Sequence, residues 1–148
     1  MANALYGKGR NKFARGDIKW LAAAGDTIKC CLLKTAYAGM PQIDNHEWFT
    51  DLGANVVGNA GGATRADCQQ LTLIDPALGV CDANDVTLTA VPGAVGVCDY
   101  ICIFKDSGVD GTSPLLALIA TATGLPVTPN GGDIAIQWDA GANKIFKL

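Results

Sequence analysis

A chain of 148 residues that is 49% hydrophobic and 17% charged is long enough to bury one core and too apolar to be disordered. Its net charge of −3 divides unevenly, because residues 1–20 carry +4 and leave −7 for residues 21–148. An acidic body argues against a nucleic-acid binder, and no run of about 18 apolar residues offers a bilayer span.

In chain order, residues 1–10 have no apolar periodicity and two glycines, so they read as an extended basic arm. Asn11 is suited to cap a short helix through Phe13 and Arg15, which Gly16 would stop. Residues 1–16 are thus expected to be a basic arm and short helix, and residues 17–148 a single β-rich domain. The basic opening is not followed by the apolar core of a secretory signal, so the expected product is a soluble chain made in the cytoplasm. Residues 18–20 suggest a brief strand. Residues 26–34 predict a strand with Ile28, Cys30 and Leu32 on one face and Cys31 and Leu33 on the other. Its near-continuous apolarity implies cover on both faces. A short helix is expected over residues 45–52, anchored by Trp48, Phe49 and Leu52, followed by a small-residued exposed loop over 53–62.

Further strands are expected over residues 67–74, 86–91 and 95–104, the last long enough to be central. The final third reads as strands at 100–104, 115–121, 133–138 and 144–148, separated by Gly, Pro, Asn and Asp turns. In residues 133–138, Ile134, Ile136 and Trp138 alternate with Asp133, Ala135 and Gln137, the period of a half-buried strand. Asn130-Gly131 signals a hairpin turn. The pattern predicts a mainly β fold: an antiparallel β-sandwich or partly open barrel with one or two short helices and an extended N-terminal arm.

Chemistry is hard to find. His46 is the single histidine, and the sequence gives it no nucleophile; a polar residue at a helix start accounts for it. Asp82-Ala-Asn84-Asp85 and Asp106-Ser-Gly-Val-Asp110 lack the ligand set of a calcium loop. Gly58 to Thr64 has glycines but no lysine to cradle phosphate. The expectation is no enzyme, no cofactor and no metal. Trp20, Trp48 and Trp138 leave a small glycan-binding β domain as an alternative. Cys30, Cys31, Cys68, Cys81, Cys98 and Cys102 contain no C-x-x-C pair. They are either buried hydrophobes or disulfide formers, and both readings stand at this stage.

The opening Met1-Ala-Asn-Ala-Leu-Tyr-Gly-Lys-Gly-Arg10, the strand start Asp26-Thr-Ile-Lys29 and the block from Asp82 to Val91 resemble a family of small virion proteins of tailed bacteriophages. So do Lys105-Asp-Ser-Gly108, Thr112-Ser-Pro-Leu115, the run from Ala122 to Asp133, Gln137-Trp138 and the closing Asn143 to Leu148. The family is similar to capsid decoration, or cement, proteins. The resemblance implies a structural protein on the capsid exterior that bridges and stabilises capsid subunits, with the major capsid protein and copies of itself as partners. A neck, collar or tail accessory protein is the alternative virion position. Tyr6, Lys8, Arg10, Lys12 and Arg15 become the candidate capsid contacts, on an arm expected to be dispensable for folding. The family pattern is aliphatic where this chain has Cys30-Cys31 and is free of cysteine at Cys98 and Cys102. That departure raises disulfide reinforcement between subunits as an expectation.

Overall fold

The computed structural model describes residues 3–148, so the first two residues of the expected arm lie outside the described residues. In chain order the elements are β1 (Ala4–Leu5), α1 (Gly7–Ala14), β2 (Ile28–Lys34), β3 (Val56–Val57), β4 (Gln69–Gln70) and β5 (Leu73–Ala77). There follow β6 (Val80–Ala83), β7 (Val86–Leu88), β8 (Cys98–Lys105), β9 (Leu115–Ile119), β10 (Ile134–Ile136) and β11 (Phe146–Lys147). The fold is mainly β and antiparallel, with sheets that do not close, as a sandwich or open barrel requires. The main sheet has the order β1-β9-β8-β2-β3, with β4 also on β2, and two smaller sheets pair β10 with β7 and run β11-β6-β5.

Alternation in β2 and β8 decides where the core sits. In β2, Ile28, Cys30 and Leu32 face one apolar cluster, and Cys31 and Leu33 face the other. In β8, Ile101 and Ile103 join the first, and Tyr100, Cys102 and Phe104 the second. The main sheet is therefore buried on both sides, and β2 carries near-continuous apolarity because it has no solvent face. A bulge in β9 adjusts the register: Ile103 pairs with Ala117 and Phe104 with Leu115, so Leu116 is the extra residue. Leu116 and Ala117 consequently both enter the first cluster.

The N-terminal segment corrects the expectation of an extended arm. β1 pairs with β9, Ala4 opposite Leu118 and Leu5 opposite Ala117, and Tyr6 is 0% exposed. α1 starts earlier than expected, at Gly7, and presses onto β9 at Gly9. A Cβ there would collide with the Leu115 carbonyl oxygen and lie 3.2 Å from the Leu116 Cα. α1 has no side-chain N-cap and no acid in its first turn, so docking, not intrinsic propensity, holds it.

Four further expectations change. The helix predicted over 45–52 forms as a 3₁₀ segment, Phe49–Asn55, which Asp51 starts by accepting the Glu47 and Trp48 backbone N–H groups at 2.7 and 2.8 Å. Residues 53–62 are not simply an exposed loop, since Val56 and Val57 are buried and pair with β2. Residues 18–20 form no strand, yet Ile18 and Trp20 are buried. Asn130-Gly131 joins no hairpin: β9 and β10 belong to different sheets, and the Asn130 Oδ1 accepts the Gly132 N–H. The two-residue hairpin lies instead at Leu78-Gly79, between β5 and β6, with φ of 54° and 76°. Positive φ at both central residues is the requirement of a type I′ turn.

Candidate functional site

The candidate contact residues do not form one reaching surface. Tyr6 is enclosed, its hydroxyl 2.8 Å from that of Tyr37, which in turn lies 2.9 Å from the His46 Nδ1. Burial pushes both phenols up from their ordinary value, so they stay protonated hydrogen-bonding groups. Tyr6 is thus a core residue and contacts nothing outside the chain. Lys8 and Lys12 converge on Glu47 at 3.4 and 2.9 Å, and Lys12 also lies over the Trp48 ring at 4.3 Å. The hydrogen bond from Lys12 is the largest cause that lowers the Glu47 carboxyl below its usual range. Arg10 and Arg15 stay largely exposed, in loose pairs with Asp44 at 3.7 Å and Asp17 at 3.2 Å. The basic residues therefore mostly tie the segment to its own domain.

The six candidate disulfide cysteines, Cys30, Cys31, Cys68, Cys81, Cys98 and Cys102, are all free and all buried. None is presented at the surface where a thiol of another subunit could meet it. Cys30 and Cys31 point into opposite clusters, because successive side chains of a strand face opposite ways. Cys31 stands directly across from Cys102, and hydrogen bonding to Cys102 and Cys68, with burial, raises its thiol well above the ordinary value. Burial pushes Cys81 up to about 12 and raises Cys30 as well. Thiols held in this state are weak nucleophiles at neutral pH.

The tryptophans occupy separate places. Trp20 is 3% exposed and donates its indole N–H to the Asp82 carbonyl at 2.9 Å. Trp48 sits beneath Lys12, and Trp138 is half-buried with its indole N–H on the Asn84 carbonyl at 3.0 Å. Among the described residues no group of three or more His, Cys, Asp or Glu side chains is placed to hold a metal ion. No helix among them is long and apolar enough to cross a membrane.

What the fold does present is apolar surface. Leu78, at the hairpin tip, is 92% exposed while held at positive φ. Leu21, Ile74 and Leu148 are also exposed. Beside them lies a shallow cavity of about 410 Å³ lined by Phe13, Trp20, Leu21, Pro76 and Leu148 among others. The Leu148 N–H binds the Gly79 carbonyl at 2.9 Å, which seats that side chain next to the hairpin. Asp75-Pro76 marks a strand end in sequence and hid this hairpin; the signal for it was Leu78-Gly79 between two short apolar runs. No family model, curated protein or solved structure matches the chain.

Proposed function

We propose that this chain is a structural protein of a bacteriophage virion that sits on the capsid exterior, beside other copies of itself, and stabilises the shell by docking on the major capsid protein. The observation that carries this reading is the exposed apolar hairpin tip at Leu78 beside the cavity lined by Trp20, Leu21 and Leu148. A leucine at φ 54° costs on the order of 1 kcal/mol and, in the free chain, gains nothing from burial. Burying such a side chain against a partner is worth about 1.5–3 kcal/mol, and the gain is repeated at every copy on a shell. The family likeness read in the sequence supports the identity of the partner. The basic segment takes part through Lys8, Arg10 and Arg15, whose side chains remain exposed. Buried thiols make the docking non-covalent.

Leu78→Asn tests this directly, because asparagine tolerates positive φ better than leucine does. The variant is expected to fold with an unchanged or raised thermal midpoint and to bind purified expanded shells at least about tenfold more weakly. Occupancy equal to that of the parent chain would refute the docking face. Finding the chain in the neck, collar or tail of an intact particle, and not on the capsid, would move the reading to an accessory virion protein.

A further inference from the structure

The outer edges of two sheets face one another across a trough. β1 is the outer strand of the main sheet and β11 the outer strand of the three-stranded one. Three cavities run together along them. One of about 520 Å³ reaches from Trp138 and Thr121 to Asn3 and Ile145, and shares those last two with a second of about 500 Å³ between Asn3–Leu5 and 145–147. The second shares Leu5 and Lys147 with a third of about 690 Å³ that ends at Phe13, Ile43 and Leu148.

The backbone along this trough is polarised. The Tyr6 N–H binds the Leu116 carbonyl at 3.0 Å, and Ala4 stands opposite Leu118. In an antiparallel ladder the residue between two such positions directs its N–H and C=O away from its neighbour strand. Leu5 therefore turns its donor and acceptor outward, along the edge that the trough borders. The trough has a sign as well. Lys147 is exposed and forms no ion pair among the described residues. Lys144 and Arg10 reach only long pairs, at 3.8 Å to Asp82 and 3.7 Å to Asp44, and Asp139 is the acid at the Trp138 end.

We infer that this trough binds an extended peptide of alternating apolar and acidic side chains, added to β1 as a new edge strand. Its ladder bonds go to Leu5, its apolar side chains pack on Leu5, Phe13 and Ile145, and its acidic ones face Lys147. The inference gives a mode of attachment to the docking protein proposed above and rests on that reading only for the source of the peptide. It needs no shells to test, so failure here and failure of shell binding are separate results.

The probe is an acetylated octapeptide alternating valine and glutamate, titrated into the intact chain with amide exchange followed by NMR. The expected result is binding with roughly tenfold slower exchange at the Leu5 amide. The same peptide with alternate residues N-methylated, which removes ladder donors, is expected not to bind. Lys147→Glu, at an exposed site, is expected to lose about fivefold or more for the glutamate peptide and to prefer its lysine counterpart. No binding up to about 1 mM, equal binding of the N-methylated peptide, or unchanged Leu5 exchange overturns the inference. Protection of Leu5 by maltohexaose and not by the peptide would assign the trough to a saccharide and overturn it too.

Discussion

Asp106 stands between two cations. Its carboxylate takes the Lys29 ammonium at 2.8 Å, the Arg65 guanidinium, and the Gly108 N–H at 2.9 Å, while its side chain is only 10% exposed. Burial alone would raise this carboxyl; the bonds from Lys29, Gly108 and Arg65 outweigh it and hold the group below its ordinary 3.8. A carboxyl depressed on folding stabilises the native state above its unfolded value and loses that contribution as pH falls through the folded one. Urea midpoints are therefore expected to drop steeply below about pH 4. Asp106→Asn, which takes the shared carboxylate from Lys29 and Arg65, is expected to cost about 2–3 kcal/mol at pH 7 and to flatten that acid limb. A midpoint at pH 7 unchanged by the substitution would refute the assignment. None of this is legible in sequence, where Lys29, Arg65 and Asp106 sit in three unrelated segments. The opposed faces of Cys30 and Cys31 were legible, because period 2 along a strand needs no partner to be known.

At the scale of elements, α1 and β1 form a clip over β9. Valine at position 9 gains about 0.4 kcal/mol of helix propensity over glycine. It also drives at least one carbon into the Leu115–Leu116 backbone, which cannot rotate aside as a side chain can. Overpacking of this kind costs about 1–3 kcal/mol, so Gly9→Val is expected to lower the thermal midpoint. Deleting residues 1–12 removes buried Tyr6 together with β1, and a calorimetric scan of the remainder is expected to show no sharp transition. A well-folded truncated domain would mean the clip is an accessory after all. Of the strands expected from sequence, β2, β8 and β10 carry their own alternation, and β7, β9 and β11 form inside the expected ranges 86–91, 115–121 and 144–148. Those missed, β1, β3 and β6, are two to four residues long; β1 and β3 exist because a distant strand pairs with them, and β6 is held between its hairpin partner β5 and distant β11. The exposed apolar hairpin tip is equally hidden in sequence: Leu78 becomes conspicuous only once β5 and β6 are seen to turn there.

For the whole molecule, the two apolar clusters share one sheet, and the cysteines are divided between them. Cys30, Cys81 and Cys98 lie in the first, and Cys31, Cys68 and Cys102 in the second. Because β2 and β8 line both clusters, the chain is expected to open as one unit. Thiol labelling across a guanidinium series should then show both sets becoming reactive together, at the midpoint of global unfolding, with negligible labelling of the native chain. Earlier reaction of either set would divide the fold into two independently opening parts. The pairing of β1 with β9 has one more consequence, in time and not in energy. Ala4 meets Leu118, so the partner strand is made long after the segment that needs it. At ribosomal rates of about 5–20 residues per second, that delay is roughly 6–23 s. During it, the residues from Lys8 to Arg15 have no β9 to dock on and trail from the nascent chain as a basic tether. The extended arm that the sequence suggests is thus a stage in the protein's synthesis, and it ends when β9 arrives.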